Sequence, residues 1–536
     1  MMSSSKQDCA ICTDMLNNGH AIFIAECSHS FHYHCITSNV QNGNRVCPVC
    51  RALWKEIPFQ GMPPQQILYD DDEPVNQESE EMHSAKSDSD EGIKIKTYTE
   101  IPAVAKSANF DDFGILINLK APVSKESLNS RTPIDLVTIL DISGSMEGSK
   151  IALLKKAMGF VVQNLGPLDR LSVISFASSA RRLFPLRHMT EIGKQESLQV
   201  INSLVANGAT NILEALKKGS KVMTDRKFKN PVSSMILLSD GQDTCNHEPL
   251  TLPDTRVPIH TFGFGKDHDA NLMHSISEKS RGMFSFIEVE SVIQDAFAQC
   301  IGGLLSVVVQ ELRVEVECVH PALRLGSIKA GSYKVGMDDN GRCGFIEVGD
   351  LYAEEERDFL VSTDIPDNES DNEMPLVKFR VIHKDPIKNT FVNIEGNEVT
   401  ILRPETVVNQ TVSLEVQRQR NRLNVASAIA DARVVAEHGD LMEARLVLEE
   451  CKTKLEATSD DDCGYLEDEL EDMGFCMVDE EMYESTGRAN VLAGLSAHAS
   501  QRATTWGDSR KLGSKMKTYQ TPAMAKMVKS SKTFGN

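Results

Sequence analysis

The chain has 536 residues and a formal charge of −21, from 56 Lys and Arg against 77 Asp and Glu. Such a balance repels a phosphate backbone and argues against general nucleic-acid binding. Hydrophobic residues make up 41%, too many for a wholly disordered chain. The longest apolar run, Cys300 to Val309, is interrupted by Gly302, Gly303 and Ser306 and falls short of the roughly 20 residues of a membrane span. The N-terminus carries no apolar segment of a secretory signal, so the expected location is cytoplasmic, with nucleus or membrane periphery left open.

Six of the 13 cysteines fall between Cys9 and Cys50. One dense cluster plus scatter reads as a metal module in an otherwise reduced protein. The cluster occupies residues 7–55. Its spacing is Cys9-x2-Cys12-x14-Cys27-x-His29-x2-His32-x2-Cys35-x11-Cys47-x2-Cys50. Eight thiolate and imidazole ligands make two tetrahedral sites, and soft ligands of this kind select Zn2+. His34, next to Cys35, has the wrong spacing and reads as a surface residue.

Residues 56–92 are acidic and polar, with Tyr69-Asp70-Asp71-Asp72-Glu73-Pro74 and Ser87-Asp88-Ser89-Asp90-Glu91, and read as a flexible linker. Residues 93–132 carry strand alternation at Ile93–Tyr98 and Ile115–Leu119. Their apolar faces predict that they join a β-sandwich formed by residues 311–405, with the intervening domain inserted.

Residues 133–310 alternate buried strands (134–140, 170–176, 235–238, 259–264) with helical stretches (150–165, 211–223). This predicts a doubly wound α/β domain with a parallel sheet. Within it, Asp141-Ile142-Ser143-Gly144-Ser145 follows a strand, Thr210 opens a helix, and Asp240 ends a strand before Gly241. Hydroxyls and carboxylates at strand ends can converge on a hard cation, Mg2+ or Mn2+. The loop is expected at a sheet edge, so that loss of Asp141 would spare the fold. Gly263-Phe264-Gly265 reads as a turn rather than a phosphate loop.

Residues 410–500 read as helical, with a hairpin turning at Gly439-Asp440, followed by 13 acidic residues between Glu456 and Glu484. Residues 501–536 carry eight Lys and Arg against Asp508 alone, and read as a solvated basic tail that folds back on the acidic stretch.

The eight-ligand string resembles a RING finger of the two-histidine type. The resemblance implies an interleaved cross-brace, one zinc on Cys9, Cys12, His32 and Cys35, the other on Cys27, His29, Cys47 and Cys50. It also implies that Ile11, Pro48 and Arg51 form the contact for a ubiquitin-charged conjugating enzyme, acting without a covalent intermediate. Asn39 stands where many such fingers have Trp, which removes apolar area from that contact. Asp141, Ser143, Ser145, Thr210 and Asp240 resemble the metal-ion-dependent adhesion site of a von Willebrand factor A (vWA) domain, whose metal takes a carboxylate from a partner.

In their order, the RING, acidic linker, vWA domain, β segment and helical C-terminus resemble the plant Wavy Growth family of RING ubiquitin ligases. The implied partners are a conjugating enzyme, ubiquitin, and a protein substrate held by the vWA domain, with no nucleic acid and no transmembrane segment. The implied setting is root growth direction. The alternative is a scaffold that uses zinc and vWA modules only for assembly.

Overall fold

The computed structural model describes residues 9–11, 22–32, 35–36, 46–54, 71–75, 92–124, 131–245, 257–367, 372–408, 410–458, 463–505 and 519–534. The chain divides into two units, Met1–Leu68 and Tyr69–Asn536.

In the first unit, β1 (Ile22–Ile24) pairs antiparallel with β2 (Ser30–His32). A small core of Phe31, Ile36 and Trp54 lies among Cys9, Cys35 and Cys47. So little apolar material cannot hold a fold of this size without a staple.

The second unit has three layers of architecture. β3 (Lys94–Thr99) and β4 (Phe110–Lys120) precede the α/β domain, and β11 (Val307–Cys318) follows it. The later strands are β12 (Leu325–Lys329), β13 (Lys334–Met337), β14 (Cys343–Tyr352), β15 (Glu356–Ile365), β16 (Glu373–Asp385), β17 (Thr390–Glu395) and β18 (Val399–Leu402). One sheet runs β13-β14-β11-β16-β17, with β18 also on β16; the other runs β12-β15-β4-β3. β4 pairs antiparallel with β15, from Lys120 opposite Glu356 to Phe110 opposite Ile365. Phe113, Ile115 and Ile117 thereby share one core with Val314, Ile346, Phe359 and Val381. A β-sandwich thus takes strands from both sides of the inserted domain.

The inserted domain is a six-stranded sheet in the order β10-β9-β8-β5-β6-β7. The strands are β5 (Ile134–Asp141), β6 (Arg170–Phe176), β7 (Ala180–His188), β8 (Val232–Ser239), β9 (Ile259–Phe264) and β10 (Phe284–Ile287). All pairings are parallel except β6 with β7, which makes β7 an antiparallel edge strand. The helices are α1 (Ser149–Asn164), α2 (Glu191–Asn202), α3 (Ile212–Asp225), α4 (Ala270–Lys279) and α5 (Ile293–Leu304). Every residue of β5 is buried, as expected of a central strand covered on both faces.

The C-terminal helices are α6 (Leu414–Glu437), α7 (Leu441–Glu456), α8 (Gly464–Phe475), α9 (Arg488–Ser500) and α10 (Pro522–Ser531). Gly439, at φ +89°, permits the turn between α6 and α7, and Asp440 caps α7 by accepting from the Glu443 amide. Val425, Ile429, Leu448, Leu466 and Leu492 join the core that includes Met273 and Phe284 of the α/β domain.

Two expectations are corrected. The basic segment is not a tail throughout: among its described residues α10 packs on α5, and Tyr519 bonds His498, which in turn holds Glu469 of the acidic stretch. A Cβ on Gly302 would lie 2.9 Å from the Met524 Cα, so the glycines that interrupt the long apolar run are what let the two helices approach. Gln294 and Gln299 of α5 bond Ser531 and Gln520. Most of the linker, 56–70 and 76–91, lies outside the described residues, but residues 71–75 rest on β7 through Arg182 and His188.

The layers meet at Glu355. Its carboxylate is 2.7 Å from both Arg357 and Arg502 and accepts the Tyr352 amide at 2.8 Å. Burial pushes this carboxyl up, but the two guanidiniums outweigh that and hold it at about 2. His260 nearby is lowered to about 3, mainly by burial and also by Arg502. Both groups fold into their deprotonated forms, so their contributions are complete at neutral pH. His260's contribution fades as pH falls below its ordinary 6.5, and that of Glu355 below its ordinary 4.5. Urea midpoints should therefore be flat from about pH 8 to 7 and fall steadily below that. Glu355→Gln should cost about 3–5 kcal/mol at pH 7, because it strands two buried guanidiniums, and should flatten the part of the profile below the ordinary glutamate range.

Candidate functional site

In the finger, two turns present the ligands. The Arg51 amide donates to the Cys47 carbonyl at 2.8 Å and the Cys47 amide to the Ala52 carbonyl at 2.9 Å. Arg51 closes this knuckle in the left-handed region at φ 58°, as Ser28 does at φ 66° in the other turn. The sulfur and ring-nitrogen atoms of Cys27, His29, Cys47 and Cys50 all lie within 4.8 Å of one another, and so do those of Cys9, His32 and Cys35. Tetrahedral Zn2+ with Zn–S near 2.3 Å needs ligand atoms roughly 3.8 Å apart, and these sets fit it. The Cys27 thiol is lowered to about 6, chiefly by its hydrogen bond with His29, while burial raises that of Cys47. Cys12, His34 and Asn39 lie outside the described residues. Pro48 and Arg51 are exposed, and Ile11 is half-buried against the core. Trp54, which drew no attention in the sequence, packs edge-on to Phe23 at 6.1 Å and roofs the core.

In the α/β domain, the five oxygen-bearing residues gather at the carboxyl ends of β5 and β8 and the start of α3. The Ser143 and Ser145 hydroxyls are 3.0 Å apart, and Ser145 donates to Asp240 at 2.6 Å. A Cβ on Gly241 would lie 3.3 Å from the Thr210 hydroxyl and 3.9 Å from that of Ser145, so Thr210 faces the same hollow. Asp141 accepts the Ser143 amide at 2.8 Å and the Ser239 hydroxyl at 2.6 Å. Burial raises its carboxyl, Asp240 adding to the effect. Oxygen donors alone, two of them carboxylates, suit a hard dication such as Mg2+. One feature was not anticipated: the Lys150 ammonium lies 2.5 Å from Asp240 and over the Phe264 ring. It neutralises one carboxylate and is a built-in competitor for a dication.

The loop is not at a sheet edge. β5 is flanked by β6 and β8, and Asp141 is fully buried.

A RING-like finger joined to a vWA domain defines the class, and the comparisons agree. Sequence profiles match at residues 8–36 (RING-like zinc finger), 135–299 (von Willebrand factor type A domain) and 460–533 (VWA / Hh protein intein-like). Cys47 and Cys50 lie beyond the first match, yet they sit with Cys27 and His29. The third match covers the acidic stretch and basic segment, whose membership in the fold composition had hidden.

The Arabidopsis thaliana E3 ubiquitin-protein ligase WAVH1 is 31% identical over 513 residues, covering 84% of this chain and 71% of its own. E3 ubiquitin-protein ligase WAV3 of the same plant is 28% identical over 538 residues, with the same coverage. The chain belongs to this WAV family of RING-type E3 ubiquitin-protein ligases. A von Willebrand factor type A structure from Catenulispora acidiphila covers 72% of this chain and 89% of its own with a TM-score of 0.55 at 17% identity, a likeness of fold.

Asp141→Ala should cost about 1–3 kcal/mol of stability even without metal, since it removes the acceptor of the Ser143 amide and leaves the Ser239 hydroxyl only the Gly241 carbonyl at 3.3 Å. Ser145, which is exposed, should tolerate Ala within about 0.5 kcal/mol. Urea unfolding in chelator checks both.

Proposed function

We propose that this chain is a ubiquitin ligase whose finger holds two Zn2+ through Cys9, Cys12, His32 and Cys35, and through Cys27, His29, Cys47 and Cys50. The gathering of seven of these ligands into two interleaved sets supports the reading. Zn2+ here is structural: it fixes the knuckles and does no chemistry on the substrate. Catalysis is by positioning. Ile11 and Pro48 dock a ubiquitin-charged conjugating enzyme, and Arg51 bonds both enzyme and ubiquitin, holding the thioester ready for an incoming amine. A planar guanidinium suits two carbonyl partners better than an ammonium does.

The vWA hollow of Asp141, Ser143, Ser145, Thr210 and Asp240 takes Mg2+ or Mn2+, which offers a protein substrate's carboxylate one open position. A role in root growth direction rests on the family resemblance. If the modules serve only as a scaffold, the finger supports no discharge at all.

Cys47→Ser should lower zinc below two per chain and unfold the finger, since structural zinc supplies most of the folding energy of so small a module. Arg51→Lys should keep both ions, by metal analysis, and slow discharge of ubiquitin from a charged conjugating enzyme by roughly tenfold, one lost charge-assisted hydrogen bond. Unaltered discharge by Arg51→Lys in an active preparation moves the contact elsewhere.

Ser145→Ala should weaken Mn2+-dependent capture of substrate from native extract without touching autoubiquitination. Identical partner sets from wild type and variant would strip the metal of a recognition role.

A further inference from the structure

The free edge of β7 is covered by the chain's own acidic segment. β7 pairs with β6 on one side and, among the described residues, has no strand on the other. Such an edge offers unpaired amides to any extended peptide. Residues 71–74 meet that offer in an unusual way, with side-chain carboxylates where a strand would bring carbonyls.

Asp72 accepts the Leu186 amide at 2.7 Å, and Glu73 accepts the His188 amide at 2.6 Å. Between them the Glu73 amide donates to the Leu186 carbonyl at 2.9 Å, a single true ladder bond. The Arg182 guanidinium spans Asp71, at 2.8 Å, and Asp72. Asp72's side chain is only 5% exposed. His188 reaches the Pro74 carbonyl at 2.7 Å.

The deepest contact is with Arg170, a fully buried side chain. Its Nε and one terminal nitrogen hold Asp135, each at 2.8 Å. The other terminal nitrogen donates to the Glu73 carbonyl. The segment therefore supplies an acceptor, beside Asp135 and the Phe228 carbonyl, to an arginine in the domain's interior, which a loose acidic linker would not do.

We propose that the β7 edge is a binding groove for an extended acidic peptide of the Asp-Asp-Glu-Pro type, filled in cis by residues 71–74, and that this contact sets where the tether of the zinc finger begins. The groove reads the successive carboxylates of Asp72 and Glu73, with Asp71 also on Arg182, and bonds the carbonyl of the residue that follows. With the groove filled, the chain between Trp54 and the anchor is residues 55–70. At full extension that reaches at most about 60 Å, against about 130 Å if the anchor were the start of the sandwich at residue 92. The groove is distinct from the metal hollow and shares no residue with it. The proposal stands apart from the ligase reading, because its test uses neither ubiquitin nor metal.

The test is hydrogen exchange on the full chain, read at the amides of Glu73, Leu186 and His188. Wild type should protect all three at least tenfold over unstructured rates. The double variant Asp72→Asn with Glu73→Gln changes only segment residues outside the domain core. It should lose that protection about tenfold while the β5 and β8 amides stay unchanged. A synthetic peptide spanning Tyr69–Val75, added to the double variant, should restore protection at Leu186 and His188 in a saturable manner that weakens with salt. The same peptide carrying Asp72→Asn should not. Exchange in wild type as fast as in the double variant would overturn the anchor. Failure of millimolar peptide to restore protection would overturn the groove.

Discussion

The second unit depends on one carboxylate, Glu355, and on the turn that carries it. The chain leaves the sandwich after β4 and returns to it at β11, and both crossings bond to the residues 352–355 turn. The Ala121 amide donates to the Glu355 carbonyl at 2.9 Å, and the Glu354 amide to that of Pro122 at 3.1 Å. On the return side the Ala353 amide donates to the Ser306 carbonyl at 2.7 Å. Glu354 takes a left-handed φ of 60° to make this possible. Glu355 then draws in the C-terminal segment through Arg502, whose guanidinium stacks 3.9 Å above the Tyr352 ring centroid, and Arg357 bonds the Gln501 carbonyl at 2.9 Å. Tyr352 itself fits only because Gly303 has no side chain: a Cβ there would come within 2.5 Å of its ring. An insertion adds no strain when its two ends lie side by side, and here one turn holds both.

Most of what could be read from the sequence was local or periodic, and the one long-range reading, a sandwich shared by residues 93–132 and 311–405, rested on apolar strand faces that a linker could not bury. Zinc ligands announce themselves because Cys-x2-Cys spacing is set by the turn that presents two sulfurs to one ion, whatever the rest of the chain does. The strand-loop-helix context of Asp141, Ser143 and Ser145 is similarly short-range, and the runs of β5, β6, β8 and β9 show their burial directly. β7 escaped because its pattern, Ala180-Arg181-Arg182-Leu183-Phe184-Pro185, mixes charge and proline as an edge strand does.

The remaining misses came from pairing over long sequence distances. Acidic residues 71–73 look solvated until Arg170 and Arg182, a hundred positions on, are placed beside them. The basic C-terminal segment looks like a tail until Gly302 and Gly303 are seen to be a seat for α10. Net charge misled in both cases: it reports the average fate of charged residues, and these are the exceptions that are buried or half-buried against a specific partner. Lys150 belongs with them. As a residue of α1 it reads as a surface lysine, yet its ammonium closes on Asp240.

Topology also separates the tasks within this unit. In a parallel sheet every loop after a strand opens at the carboxyl end, which is where Asp141, Asp240 and Thr210 gather. The chain enters β5 from the sandwich at the amino end and leaves through α5, which runs back toward that end. The Gln310 amide of β11 accordingly reaches the carbonyl of Pro231, just before β8. Because β7 runs antiparallel to its neighbour, the contacts of Asp72 and Glu73 with Leu186, His188 and Arg170 also fall at the amino end. The sandwich and the tether's anchor are thus both about one strand length from the hollow of Asp141 and Asp240, roughly 25 Å for eight residues. Neither the sandwich nor residues 71–74 therefore shares an end of the sheet with the loops that carry Asp141, Thr210 and Asp240.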